Sequence, residues 1–427
     1  MMRNNFSKIK PSPYFSKMRR EKGRSLKIWL MGLVCLLFFA GIAVAQEYKF
    51  ERLRPVLQPP RQFKYPSGIA GDTSENVYIA DTIQESRPTT ITPFPNVVVD
   101  PRIELFAVLL CLSDNPFIPP YNTPYKFDVL KYFYPFAEHP VVQWCREVWE
   151  ETGFPILFSL PSAMLLLNPT DLSSDVHSTY YSPVVDEMCD FARETKFMDF
   201  FEAHKTIYHQ MVLDVCAMLR GTDLIGTLEN YFGMKQHSYN IMLSPLFAGG
   251  LNALTLPPGG SYSYYDSWDI YAICGFQDIT RVAWHEFSHS FVAPILGVYG
   301  WQIAQYASLF DPIADKMEPW YPNWDMCVNE HIVRAITIRL SYREKGKLAG
   351  DLLLQDTKNE GFIYVKALCE QLEEYENQRE KYPTFVDFFP ELLKVFEELS
   401  EKRLSNSFLL HPVFRLPGLS MPLLAKK

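Results

Sequence analysis

Asp278-Ile279-Thr280-Arg281-Val282-Ala283-Trp284-His285-Glu286-Phe287-Ser288-His289-Ser290-Phe291-Val292-Ala293-Pro294 is the stretch on which the reading of this chain turns. Ala283, Trp284, Phe287 and Phe291 recur at helical spacing and supply a buried face. Asp278 or Thr280 can cap the start, and Pro294, with no N–H to donate, predicts the end. Residues four apart lie on one face of a helix, one turn apart. His285 and His289 can therefore present two imidazoles to one ion, and zinc accepts neutral histidine nitrogen at about 2.0–2.1 Å. Glu286 stands too close in sequence to His285 to be a comfortable third ligand. It can reach a water beside the metal, take its proton as general base and pass it to a leaving amine.

A catalytic zinc site needs three protein ligands. The extended pattern with a glycine and a third histidine is excluded, because Val292 and Ile295 occupy those positions. The best later candidate is Glu330, in the helical run Asp325-Met326-Cys327-Val328-Asn329-Glu330-His331-Ile332-Val333-Arg334-Ala335. It borders an apolar face, where a carboxylate needs a partner. An ordinary ion pair with Arg334, four residues on, would also satisfy it. His331, Asp311, Asp315 and Glu318 are lesser contenders, and Tyr306, His331, Tyr364 and His411 are open candidates to stabilise an oxyanion.

With these residues in place, the chain resembles the gluzincin-type zinc metallopeptidases, the thermolysin-like group, at His285-Glu286-Phe287-Ser288-His289 and Asn329-Glu330. The resemblance implies a zincin-like fold, His285, His289 and Glu330 as zinc ligands, and Glu286 as general base. More closely, the chain resembles an uncharacterised bacterial family of exported proteins catalogued as a domain of unknown function. That likeness runs over about residues 100 to 399 and is carried by His285 to Phe291, Glu330 to Ala335, Tyr375-Glu376 with Arg379, and Lys381 to Phe385. One departure stands out. The thermolysin-like group has an Asp four residues after the liganding Glu, orienting a zinc histidine, and here that position is Arg334. The orienter must come from elsewhere or differ in kind.

Upstream of the motif, Tyr239 to Ser244, Leu251 to Leu256 and Trp268 to Cys274 read as strands, with a turn at Pro257 to Ser261. They predict a small antiparallel sheet followed by the active-site helix. The strand Tyr239 to Ser244 and the segment Pro245 to Gly250 are expected at the sheet edge beside the cleft, where a substrate backbone could pair. Before them, Ile103 to Leu112, Phe136 to Thr152, Val184 to Phe191 and Lys196 to Met218 show helical spacing, punctuated by prolines. After the motif, helices are expected at Ile303 to Tyr306, Trp324 to Tyr342, Tyr364 to Lys381 and Thr384 to Leu399. The fold class is α+β, mostly helical. The expected organisation is a signal peptide over 1–45, an extended arm or linker over 46–95 with a short strand at Asn76 to Ile79, a helical lobe over 96–230, and a catalytic lobe over 231–415.

The first 27 residues carry nine bases and one acid, Ile28 to Ala45 is uncharged and apolar, and Ala43-Val44-Ala45 ends it. This predicts a cleaved export signal, with a single membrane anchor as the alternative reading. Without the leader, 32 basic and 48 acidic residues remain, a net charge of −16. So acidic a protein is a poor nucleic-acid binder. Cys111, Cys145, Cys189, Cys216, Cys274, Cys327 and Cys369 include no CxxC pair, so a thiolate metal site is not expected, and buried free thiols are favoured at most of these positions. Together these readings predict an exported zinc peptidase acting on peptides or proteins. The alternatives are an exported binding protein that keeps the zincin fold without catalysis, and a metal-dependent hydrolase with a non-peptide substrate.

Overall fold

The computed structural model describes residues 94–152, 155–173, 182–256, 268–275, 277–317 and 320–410. The leader, nearly all of the expected arm with its short strand, the turn at 257–261, Glu318 and His411 lie outside the described residues.

Four strands form one mixed sheet: β1 (Asn96–Val98), β2 (Ser238–Leu243), β3 (Gly250–Leu256) and β4 (Asp269–Cys274), in the order β1-β2-β4-β3. β1 pairs parallel with β2, β2 pairs parallel with β4, and only β3 runs antiparallel, against β4. The expected all-antiparallel sheet is therefore corrected. Consecutive strands read from sequence suggest hairpins, but here the chain leaves β2, passes β4's place to lay down β3, and returns between them. β1 arrives from 144 positions away, which no local pattern reveals. The edge expectation is also corrected: Tyr239 to Leu243 is an inner strand, and the edge next to the motif helix is β3, into which the segment Pro245 to Gly249 leads.

Helices cover both faces of the sheet. Side chains alternate along a strand, so Ile241, Leu243, Ile270, Ala272 and Cys274 face one core, while Met242 and Ile273 face the other. On the second face pack α1 (Pro101–Leu112), α2 (Pro124–Phe133), α3 (Pro140–Thr152), α4 (Pro155–Met164), α5 (Ser182–Glu194) and α6 (Phe197–Ala203). α7 (Lys205–Leu219) reaches both cores, and α8 (Leu224–Phe232) belongs to the first. The prolines that punctuate this region open four of these helices at their first residue, where a missing N–H costs nothing. The single helix expected over Lys196 to Met218 is split at His204, whose ring nitrogen Nδ1 meets the Phe200 carbonyl at 2.8 Å.

The first core is built around α9 (Ile279–Val298) and α12 (Trp324–Lys345), with the short helices α10 (Gly300–Ala304) and α11 (Ala314–Met317) between them. α13 (Lys347–Asn359), α14 (Val365–Asn377) and α15 (Phe385–Leu410) follow. α9 does not stop at Pro294: it continues one more turn, because Ile295 and Leu296 are buried in the core and packing overrides the lost hydrogen bond. Neither expected residue caps it. Asp278 occupies the cap position in a left-handed conformation, and its carboxylate instead takes Arg281 Nε at 2.7 Å and Lys345 Nζ at 3.1 Å.

Several residues of the family texture turn out to hold this core together. Tyr375 Oη and Arg379 Nη1 donate to the Tyr231 carbonyl at 2.6 and 2.7 Å, closing the carbonyl end of α8. Glu376 takes Arg339 through two bonds of 3.0 and 2.7 Å. Thr384 and Asp387 exchange side-chain and backbone bonds at the start of α15, a reciprocal cap. Gly233 ends α8 at φ 66°, and a Cβ there would stand 2.4 Å from the Pro383 carbonyl oxygen. All seven described cysteines are free thiols. Among the described residues no helix is long and apolar enough to cross a membrane.

Candidate metal centre

α9 and α12 pack side by side and bring His285, His289 and Glu330 together. One ligating atom from each lies within 4.8 Å of the others, and among the described residues no other such group occurs. The two Nε2 atoms are 3.3 Å apart. His285 Nε2 is 3.4 Å from Glu330 Oε1, and His289 Nε2 is 3.4 Å from Glu330 Oε2. Ligands at about 2.0–2.1 Å from a tetrahedral ion stand roughly 3.3–3.4 Å from one another. The spacing of these three donors thus fits one small divalent ion, and the mixture of two imidazoles and a carboxylate suits it chemically.

The states of His285 and Glu330 suit a metal, whereas at His289 burial is outweighed by Glu330 and its affinity for a proton is raised, so a metal would have to displace that proton. Burial pushes His285 down to about 3, so its ring is neutral, as a ligand must be. Burial alone would raise Glu330, but His285, Arg334 and His289 outweigh it and hold the carboxyl well below the usual carboxylate range. Since His285 is itself neutral, the permanent charge behind this is Arg334, with His289 adding its hydrogen bond. Its Nε donates to Glu330 Oε1 at 2.6 Å, its guanidinium lies 4.0 Å over the Phe362 ring, and its Nη1 meets Glu360 at 2.5 Å. The expected pair with Arg334 is therefore present, and the same carboxylate also faces the two imidazoles, in a group that could hold a metal ion. Tyr321 also lies against Glu330 and Arg334, and burial drives its hydroxyl well above the ordinary range.

The orienter of His289 is Asn329, whose Oδ1 stands 3.0 Å from Nδ1. A neutral carboxamide directs this ring, and the charged group in the surround, Arg334, acts on the carboxylate. Asn329 was in plain view beside Glu330, but nothing in the spacing distinguished it from a neutral filler of the helix.

Glu286 projects from the same helix and is 6 % exposed. Burial raises it to about 7, against the pull of His289. Its Oε1 rests against Gly250 at the start of β3: a Cβ built there would fall 2.1 Å from it. Thr255 Oγ1 donates to Ser290 Oγ at 2.9 Å, tying the other end of β3 to α9.

The lesser candidates are engaged elsewhere. His331 is fully buried, held neutral by burial at about 4, bonded through Nδ1 to the Cys327 carbonyl at 2.8 Å and packed between Phe362 and Tyr364. Tyr364 Oη donates to the Leu309 carbonyl at 2.7 Å. Tyr306 lies tilted against the Phe396 ring, Asp311 pairs with Arg403 at 2.9 Å, and Asp315 is exposed.

The sequence model of one family, described as a domain of unknown function (DUF4932), matches residues 176–395, just over half of the chain. No curated protein and no solved structure matches it. The matched stretch contains every residue of the centre, together with β2, β3 and β4, and leaves β1 and α1 to α4 outside.

Proposed function

The chain belongs to this family of unknown function, DUF4932, and from that premise we propose that it is an exported zinc peptidase of gluzincin type on a zincin-like fold. His285, His289 and Glu330 would hold the metal, and Glu286 would be the general base. The observation that carries the reading is the triangle of donors at 3.3–3.4 Å with a buried carboxylate one residue from the first histidine.

A zinc ion bound there supplies a Lewis acid that polarises a carbonyl and makes water a better nucleophile near neutral pH. The remaining work belongs to the chain. Glu286, with its affinity for a proton lifted by burial, can accept one from the attacking water at its carboxylate and return it to the leaving nitrogen. Asn329 fixes the His289 ring, and Arg334 fixes the Glu330 carboxylate. Among the described residues β3 is paired on one side only, and its free edge suits an extended peptide backbone. Export rests on the basic leader and the apolar run to Ala45.

The test is to purify residues 46–427, measure bound zinc and assay casein cleavage by the wild type and by Glu286→Gln. Stoichiometric zinc in both, with proteolysis lost in the variant, is expected. Zinc without proteolysis would point to a non-peptide substrate, and no zinc would sink every enzymatic reading.

A further inference from the structure

We propose that Gly250 is a positioning residue for the Glu286 carboxylate, so that the first residue of the edge strand decides where the base stands. The catalytic part of this inference rests on the peptidase reading above; the steric part does not.

The clearance at this point is set by three glycines with different jobs. A Cβ on Gly250 would stand 2.1 Å from Glu286 Oε1, 3.1 Å from its Cδ and 3.3 Å from Val282 Cγ1. Nonbonded heavy atoms rest at about 3.5 Å, so the carboxylate occupies the volume a side chain would need. Gly250 does not have a positive φ, and alanine is allowed there by the backbone. The conflict is one of side-chain space alone.

The strand is poorly placed to yield. The Gly275 N–H donates to the Gly249 carbonyl at 2.9 Å. Gly275 itself packs so closely on the Phe247 carbonyl that a Cβ would fall 2.2 Å from its oxygen. β3 is thus pinned to the end of β4, just where its register shifts between Gly250 and Asn252. The mobile partner is the Glu286 side chain, which must rotate away if Gly250 gains a methyl group. Gly249 supplies the control: a Cβ there meets nothing within 4 Å.

The experiment compares Gly250→Ala and Gly249→Ala, each alone and with Glu286→Ala. Melting temperature, bound zinc, the visible spectrum of the cobalt-substituted protein and casein kinetics are read for each. For Gly250→Ala we expect unchanged zinc stoichiometry, an altered cobalt spectrum, and kcat lowered by about 100-fold, the scale of a misplacement of 1 Å, with KM nearly unchanged. Its melting temperature should fall by a few degrees, and the fall should vanish in the Glu286→Ala background. Gly249→Ala should behave as wild type throughout. A Gly250→Ala protein with wild-type kcat and cobalt spectrum would overturn the proposal. So would a loss of stability that persists without the Glu286 carboxylate. If the wild type binds cobalt but cleaves nothing, the peptidase reading fails while the spectral and melting comparisons still decide the role of Gly250.

Discussion

Glu330 and Glu104 are the same residue type, both almost completely buried, on opposite faces of one sheet, and their protons behave in opposite ways. Glu330 sits among two imidazoles and a guanidinium and is held ionised. Glu104 lies in α1 among apolar neighbours, with only hydroxyl groups for company. Tyr125 Oη donates to its Oε1 at 2.7 Å and touches Tyr208 Oη at 2.7 Å, while Oε2 has no hydrogen-bond partner. Burial raises Glu104 to about 7, and hydrogen bonding from Ser244 and Tyr125 only moderates this. Depth of burial therefore does not fix the charge of a carboxylate. What fixes it is whether the surrounding groups favour a negative charge.

The sharpest way to break this comparison is to delete each acid in turn. Glu330→Ala leaves Arg334 buried without its main partner, and breaking such a pair costs about 3–5 kcal/mol. Bound zinc should also fall below stoichiometric after dialysis; unchanged zinc content and melting temperature would dissolve the distinction. Next in size is the pH response of Glu104. Folded, it keeps its proton up to about pH 7; unfolded, only to about its ordinary 4.5. The Glu104 contribution to stability should therefore be fully present below pH 4.5 and decline by about 3 kcal/mol as pH rises to 7. Denaturation of Glu104→Gln across that range should lack this component of the slope, and identical slopes would show that Glu104 is not buried as an acid. Smallest is Asn329→Ala, which leaves all three proposed ligands and removes only the His289 contact. Zinc affinity measured by competition with a chelator should drop about 10–100-fold, the usual effect of losing a group that orients a metal ligand.

Much of the centre was legible because its parts obey short rules. Two histidines four apart announce a shared helix face, and a carboxylate on the border of an apolar face announces a missing partner. The strands at 238–243, 250–256 and 269–274 were visible as β-rich runs between turn residues. Their pairing was not, since register and direction depend on contacts that cross the chain. Gly250 is one of twenty glycines, and its importance lies in what stands 2 Å beyond its missing side chain. Pro294 misled because the penalty for a proline inside a helix is local, while the burial of Ile295 and Leu296 that offsets it is not. Glu104 did carry a signal, being the one acid in the run Ile103 to Leu112, all of it buried. α2, α4, α8 and α13 lay among prolines, glycines and polar residues that hid their periodicity.

The three-residue strand β1 has a consequence for the order in which the molecule takes shape. Its partner residues Asn240 to Met242 lie 144 positions downstream, and parallel pairing over such a distance closes slowly because the loop entropy is lost before any contact is gained. α8 to α15 and the other three strands, by contrast, form a continuous stretch of chain that needs nothing from before Leu224 to pair its sheet. During synthesis β1 emerges first and must wait for β2. The half of the molecule that carries the histidines and Glu330 can complete its own pairings, and β1 is then the late stitch that sews the older half of the chain to the younger.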